Sequence, residues 1–428
     1  MRLAAMAVMM MAGGWMYASP GTETEASYRV FRQPEDRLVV WDPRVEFGVG
    51  VHGLNEEQAV LLHDVGVRII RKTMYWNTIE TTTEAGKYDE KALAAWDETV
   101  KLCARHGITL LVIVHGNPPG VNFEHRQDGY VRFAHFMTDM ARRYPTVRYW
   151  ELWNEMDVGF TDLFGAGKDV APLERGKMYA EMLKLAYPAI RAANPEAWIL
   201  TGGIAEPWGD FTRGIYEGGG REFFDIMNVH TYGVPLWGSF LGRGMACRAI
   251  MTRYGDADKP MWNTEFGIDA GNMVQAWGYP HDRQPAVDDA KFFDDEMIRE
   301  YKDCLDGARK YGLYQKVLAY QFVAGNECKP AGIEEKVRLP KGMTLDDYGY
   351  GWLRKDGKTP RPLYEWIKKL NFNAPLVSEP SREVTVGYGL PGWKPKGFPV
   401  DSMDMFETIK GVHLDGMYPT AIPLEASK

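Results

Sequence analysis

The sequence predicts an α/β barrel of eight parallel strands ringed by helices. Two observations carry the prediction. From Val45 to Leu370, short apolar runs alternate with longer segments of helical periodicity, and the pair recurs eight times. Two of the runs, VRYWELWNEMD (residues 147–157) and PMWNTEFG (260–267), are apolar and aromatic and end in a carboxylate, Glu155 and Glu265. Buried parallel strands read as apolar runs, and a barrel carries its chemistry at the rim where those strands end.

In chain order, VEFGVGVHG (45–53) is the first strand. Asn55 is placed to cap a helix through Val65, with Glu57 and Gln58 in its first turn. VRIIRKTMYW (67–76) is the second strand. A long amphipathic helix from Tyr88 to Arg105 follows, with Leu93, Trp96, Val100 and Cys103 at helical spacing and Gly107 as its stop. ITLLVIVHG (108–116) is the third strand, and a helix spans 128–144 before the strand that ends in Glu155. A helix over 173–193 is closed by Asn194-Pro195, and AWILTGG (197–203) is the fifth strand. A short helix over 211–218 ends in three glycines, and FDIMNVHTYG (224–233) is the sixth strand. A helix over 239–254 leads to the strand that ends in Glu265. The longest helix spans 288–311, KVLAYQFVAG (316–325) is the eighth strand, and a helix over 361–370 closes the barrel.

Outside the barrel, residues 1–19 read as an export signal: one Arg, then an apolar run too short to span a bilayer, then small residues near Ala18. Residues 20–44 form an N-terminal extension containing the alternating piece RLVVW. Residues 45–371 form the barrel, and residues 372–428 a Pro- and Gly-rich C-terminal extension expected to pack on it. That extension holds EVTVGYG, which alternates like a strand, but is too short for a separate β-sandwich of about 100 residues.

Composition narrows the function classes. The net charge of −8, with no block of Lys or Arg, argues against a nucleic-acid partner and an anionic membrane surface. No run after the first 19 residues is long and apolar enough to cross a membrane. Four cysteines, Cys103, Cys247, Cys304 and Cys328, lack the spacing of a zinc or redox motif; they fit free buried thiols or up to two disulfides. Aromatic residues make up 13% of the chain, enough for a large aromatic core as well as for rings that stack on sugars. Trp76 and Trp262 either stack on sugar or fill the barrel wall, and are assigned to the wall.

Two glutamates on two strand ends of one barrel are the minimal equipment for hydrolysing a glycosidic bond. One carboxyl must carry a proton for the departing oxygen, and the other must stay ionised to face the developing positive charge.

The pair WNE on the fourth strand and TEFG on the seventh resembles clan A of the glycoside hydrolases, retaining enzymes on (β/α)8 barrels. IRKTMYWNTIE (70–80) and GKYDEKALAAWDETVKLCARHGITLLVIV (86–114) are similar to the second-to-third-strand region of families 39 and 5. GYGWLRKDGKTPRPLYEWI (349–367) resembles the close of such barrels. The resemblance spans Val45 to Leu370. It implies that Glu155 is the general acid/base and Glu265 the nucleophile, and that Asn154 binds the sugar 2-hydroxyl. It implies that Arg71, rather than Arg68, keeps Glu265 ionised, that His115 lines the sugar site, and that Tyr232 or His230 bonds the nucleophile. Clan members often end the eighth strand in a Trp that floors the site. Here Gln321 or Phe322 stands near that place, and Trp352 from the following loop is a candidate floor.

The expected activity is therefore a secreted or periplasmic retaining β-glycosidase acting on a polysaccharide or oligosaccharide, with no metal or organic cofactor. A catalytically silent sugar-binding barrel is the alternative, favoured by loss of either glutamate. A metal-dependent barrel hydrolase would need clustered ligands, and the first strand offers only His52; no HExxH occurs.

Overall fold

The structure, a computed structural model, describes residues 29–32, 38–41, 46–122, 124–158, 170–233, 236–277, 289–311, 313–325 and 341–370. The expected export signal, the C-terminal extension with EVTVGYG, and Cys328 lie outside the described residues. Within the N-terminal extension, Arg29–Arg32 pairs antiparallel with Leu38–Trp41.

Eight parallel strands form the barrel: β1 Glu46–Val51, β2 Ile69–Tyr75, β3 Thr109–His115, β4 Tyr149–Asn154, β5 Trp198–Gly203, β6 Met227–Tyr232, β7 Met261–Gly267 and β8 Lys316–Ala319. The ladder runs β5-β4-β3-β2-β1-β8-β7-β6. Parallel bridges Leu200↔Ile226 and Ile204↔Val229 join its two ends. At this seam the Asn228 N–H donates to Thr201 Oγ1 at 2.8 Å, so a side chain stands in for one ladder bond.

Helices α1 Glu56–Asp64, α2 Glu90–Arg105, α3 Arg126–Arg143, α4 Pro172–Ala193, α5 Asp210–Glu217, α6 Leu236–Arg253, α7 Asp289–Tyr311 and α8 Pro362–Lys369 follow the strands in turn. Asn55 caps α1 as expected: its Oδ1 accepts from the Gln58 N–H at 2.9 Å, and the Gln58 side chain accepts from the Asn55 N–H. Two further short helices, Trp76–Ile79 and Ala270–Trp277, are too brief to leave a periodic pattern in the sequence. The eighth strand is shorter than its apolar run predicts. Beyond Ala319 the chain leaves regular register, yet the Tyr320 and Phe322 N–H groups still reach Phe266 O and Gly50 O on the neighbouring strands.

Cys103, Cys247 and Cys304 are free, buried thiols. Trp76 and Trp262 are buried, as assigned. No helix among the described residues is long and apolar enough to cross a membrane.

The interior explains why the site lies at one end. Ile69, Leu111, Leu200, Ile226, Trp262 and Leu318 pack into one cluster, with Tyr149 against it, and plug the barrel near the strand starts. Side chains two residues apart share a strand face. Moving two residues on from Ile69, Tyr149 and Ile226 therefore brings Arg71, Glu151 and Asn228 inward. Two more steps on β6 bring His230 and then Tyr232. A polar layer sits directly on the apolar plug.

Candidate active site

Arg71 is the hub. It is buried, and its guanidinium donates to Glu151 from Nε at 2.7 Å and from Nη2 at 2.8 Å, forming a two-pronged ion pair. Nη2 also donates to Asn154 Oδ1 at 2.9 Å, and Nη1 donates to Glu265 Oε1. The second Glu265 oxygen accepts from the Tyr232 hydroxyl at 2.7 Å. Arg68 has no part in this. Its guanidinium bonds His63 O and Val67 O, before β2 begins.

Two local irregularities deliver the glutamates. Trp262 faces inward, and strict alternation would turn Thr264 inward and Glu265 outward. The register between β6 and β7 shifts between Val229↔Asn263 and His230↔Glu265, and β8 against β7 shifts likewise. The extra residue in β7 is a bulge, and it re-aims Glu265 into the barrel. On β4, Trp153 has φ 79° and Glu155 φ 43°. Such left-handed backbone costs about 1–3 kcal/mol at each non-glycine residue. It turns Trp153 into the outer core against Phe133 and swings Asn154 and Glu155 over the barrel mouth. The Glu155 N–H is tied to Gly203 O at 2.9 Å.

His230 lies fully buried between the two glutamates. Its Nδ1 is 2.8 Å from Glu155 Oε1 and 3.6 Å from Glu265 Oε2, and its Nε2 is 3.2 Å from Thr264 Oγ1. Gly203 makes room for the ring, since a Cβ there would sit 1.8 Å from His230 Nε2. Tyr232, not His230, makes the hydrogen bond to Glu265; His230 bonds Glu155 instead, so both of the alternative residues belong to the cluster.

The electrostatics favour a charged Glu265 beside a charged His230. Burial alone would raise the pKa of Glu265. The charges of His230 and Arg71 and the bonds from Tyr232 and Arg71 outweigh it, and the pKa is lowered. Burial opposes a charge on His230, but Glu265 and Glu155 outweigh it in turn, and the His230 pKa is raised. Asp157, just past Glu155, is pushed up to about 6 by burial, although the Ala205 and Glu206 N–H groups donate to it.

Glu155, His230 and Glu265 offer three ligand atoms within 4.8 Å of one another, close enough for a divalent ion. Arg71 places a fixed positive charge on the same carboxylate and opposes one.

The remaining predicted residues divide. His115 ends β3 half-buried, edge-on to Tyr75 at 5.1 Å; burial, then the Arg71 charge, lower its pKa to about 4, so the ring is neutral near pH 7. Trp352 does not form a floor. It is fully buried, stacked on Phe47 at 5.3 Å and edge-on to Phe322 at 6.0 Å, with no face open to a sugar. Gln321 and Phe322 are buried too. The aromatic that stands just past the eighth strand is Tyr320, two along from the inward Leu318. Its ring lies 6.3 Å from Tyr232 and 5.4 Å from Tyr350, and its hydroxyl is 3.1 Å from His52 Nε2.

Sequence reasoning missed Glu151 and Tyr320. Glu151 is fully buried, and its Oε1 also accepts from the Gly203 N–H at 3.1 Å. The available signal was a glutamate inside an apolar run, four residues before Glu155, since a buried glutamate is rare unless paired.

A family model, cellulase (glycosyl hydrolase family 5), matches residues 47–286, more than half of the chain. No curated protein matches. Among solved structures, a family 39 glycoside hydrolase from Bacteroides cellulosilyticus is similar at 18% identity and TM-score 0.54, covering 78% of this chain and 66% of that one. The chain thus spans just under two thirds of that relative's length. A GH5_18 structure from Streptomyces cattleya, in complex with GlcNAc, matches at 13% identity and TM-score 0.55, covering 81% and 83%. A GH5-4 broad-specificity endoglucanase from Clostridium acetobutylicum matches at 12% identity and TM-score 0.52, covering 76% and 96%. These likenesses speak to the fold, whereas the family-model match over the barrel carries the assignment: the chain belongs to the cellulase family, glycosyl hydrolase family 5, within clan A.

Proposed function

We propose that the protein is a retaining β-glycosidase that cleaves a polysaccharide or its oligosaccharides by double displacement, with Glu265 as nucleophile and Glu155 as general acid/base. The observation that carries this reading is the approach of the two carboxylates. One oxygen of each lies within 4.8 Å of one oxygen of the other, an approach that supports the about 5–5.5 Å carboxyl spacing of a direct attack over the about 6.5–9.5 Å that accommodates an intervening water. Glu265 then attacks the sugar itself.

Each neighbour has a part. Arg71 and Tyr232 hold Glu265 ionised and aimed. Glu151 locks the Arg71 rotamer through its two-pronged bond. The bond from Arg71 fixes the Asn154 oxygen and orients its amide NH2 for the sugar 2-hydroxyl. His230 steadies the Glu155 carboxyl and shares its proton. His115, neutral, lines the sugar site. Proton NMR of the first-formed product tests the reading: retention of anomeric configuration is expected, and an inverted anomer overturns it.

The pH dependence follows with its sign. Turnover needs Glu265 ionised and a proton kept between Glu155 and His230. The Glu265 pKa is lowered, so the acid limb of kcat/KM falls below the ordinary glutamate value of about 4.3. The His230 pKa is raised, so the alkaline limb falls above about 6.5. His230→Gln should narrow the bell from both sides, because His230 also helps to lower Glu265. A profile of unchanged width would contradict this role.

We also read residues 1–19 as an export signal that delivers the enzyme outside the cytoplasm. N-terminal sequencing of exported protein is expected to begin near residue 20; an intact Met1 there would refute it.

A further inference from the structure

Tyr232 bonds Glu265, but a single hydroxyl aims a carboxylate only if its own ring is held. Two rings from beyond β6 close on it. Tyr320 meets Tyr232 at 6.3 Å and 81°, and Tyr350 meets it at 5.7 Å and 77°. Tyr320 and Tyr350 meet each other at 5.4 Å and 72°. Rings standing edge to face attract one another through their quadrupoles.

Tyr350 is anchored at both its backbone and its hydroxyl. It sits between Gly349 and Gly351, just past the 3-10 turn Leu345–Tyr348. A Cβ at Gly351 would lie 1.9 Å from Ala324 N, so this loop presses against the chain beyond β8. Fully buried Arg361 donates from Nη1 to Gly349 O at 2.6 Å and to Gly351 O at 2.8 Å, gripping the backbone on both sides of Tyr350. Its Nε and Nη2 donate to Asp294 Oδ1 on α7 at 2.9 and 2.8 Å. At the other end of the side chain, the Tyr350 hydroxyl accepts from Asn272 Nδ2 at 2.7 Å. Asn272 is fixed in turn by fully buried Asp269, whose Oδ1 accepts the Asn272 N–H at 2.7 Å and whose Oδ2 accepts from Nδ2 at 3.0 Å. Gly267, the last residue of β7, leaves room for the ring, since a Cβ there would lie 2.9 Å from Tyr350 Cδ1. A tyrosine that only filled space could satisfy its hydroxyl locally. This one takes its partner from the helix after β7, so one ring ties the segments that follow β7 and β8 to the residue that ends β6.

We propose that Tyr350 is a positioning residue: held by Arg361 and Asn272, its ring fixes Tyr232 in the orientation that hydrogen-bonds Glu265. Its effect on turnover rests on the glycosidase reading; its effect on Glu265 does not.

The consequence has a definite sign. Burial raises the Glu265 pKa, and the Tyr232 bond is among the interactions that outweigh it. A loosened Tyr232 ring makes that bond less often, so the Glu265 pKa rises and the acid limb of kcat/KM moves to higher pH. Arg71 on β2 and His230 on β6 also act on Glu265, and Glu155, His52 and His115 lie within electrostatic reach of it. All of these stay in place in the variants below, so the shift reports the Tyr232 bond.

The test compares wild type, Tyr350→Leu, Tyr350→Phe, Asn272→Ala, Tyr232→Phe and the double variant Tyr232→Phe/Tyr350→Leu, with thermal melts to verify folding. Two readouts are taken. One is kcat/KM against pH on 4-nitrophenyl β-glycosides. The other is NMR titration of protein carrying carboxyl-13C glutamate, with the Glu265 signal identified by its absence from Glu265→Gln. Tyr350→Leu is expected to lower kcat/KM about tenfold. The Glu265 titration and the acid limb should rise together by about 0.5 pH units or more. Tyr350→Phe and Asn272→Ala release the anchor but keep the ring, and should shift both in the same direction by less. In the Tyr232→Phe background, Tyr350→Leu should add little, because the bond it protects is already gone. A Glu265 titration unmoved in folded Tyr350→Leu, or a loss undiminished in the Tyr232→Phe background, overturns the positioning role. If Tyr350→Leu does not fold, unmoved titrations in both Tyr350→Phe and Asn272→Ala overturn it. A wild type inert toward the glycosides counts against the glycosidase reading alone, because the NMR titration still decides the role of Tyr350.

Discussion

Glu265→Gln is expected to abolish turnover on every substrate, with a fall in kcat on the order of 10⁴-fold or more. The amide has the size of the carboxylate but cannot attack the sugar carbon or carry the covalent intermediate. No neighbour substitutes for it. On the proposed reading Glu155 carries the proton, and Glu151 is fully buried beneath Arg71 with both oxygens engaged. The substitution also leaves Arg71 facing a neutral group where a charge had been, a loss in a buried site and not only a loss of reactivity. The measurement is steady-state kcat on an aryl β-glycoside beside a thermal melt. A folded variant with more than about one hundredth of wild-type turnover would remove Glu265 from the role of nucleophile.

Glu155→Gln is expected to behave differently, and the difference is diagnostic. Its loss should reach about 10²–10⁴-fold on substrates whose leaving group needs a proton. On aryl glycosides with an acidic phenol the first step should be nearly spared, because the phenolate departs unaided. Pre-steady-state kinetics across a series of leaving groups reads this directly. The variant's rate should depend far more steeply on leaving-group pKa than the wild type's. Equal damage to good and poor leaving groups in the first step would withdraw Glu155 as the acid.

Much of this site was legible in the sequence because a barrel strand encodes its direction. An apolar run that ends in a carboxylate or a histidine reports a side chain at the rim, and Glu155, Glu265, His115 and the His230/Tyr232 pair all sit at such ends. Arg71 was legible from the family pattern and not from a strand end, since it is the third residue of β2 and Tyr75 is the last. What could not be read was how the backbone departs from alternation. The bulge in β7 and the left-handed residues on β4 move Glu265 and Asn154 onto the inner face, and neither leaves a mark in residue type. Trp352 was misplaced because an aromatic in a loop near a strand end carries no sign of the core it fills; only packing against Phe47 and Phe322 decides it. Tyr320 was passed over for its neighbours, since the phase of the eighth strand depends on which of its apolar residues joins the barrel plug, and that residue is Leu318. Glu151 was hidden by its setting in an apolar run, where the pairing that makes a buried glutamate tolerable comes from another strand.

The central claim is that Glu265 attacks the sugar and is covalently joined to it. A 2-fluoro glycoside with an activated leaving group slows breakdown of such an intermediate more than its formation, so the adduct accumulates. Incubation followed by peptide mapping in a mass spectrometer is expected to find one fluoroglycosyl group per chain, in ester linkage to Glu265. A label on another residue would contradict the account, as would rapid turnover of other substrates with no adduct and an inverted product.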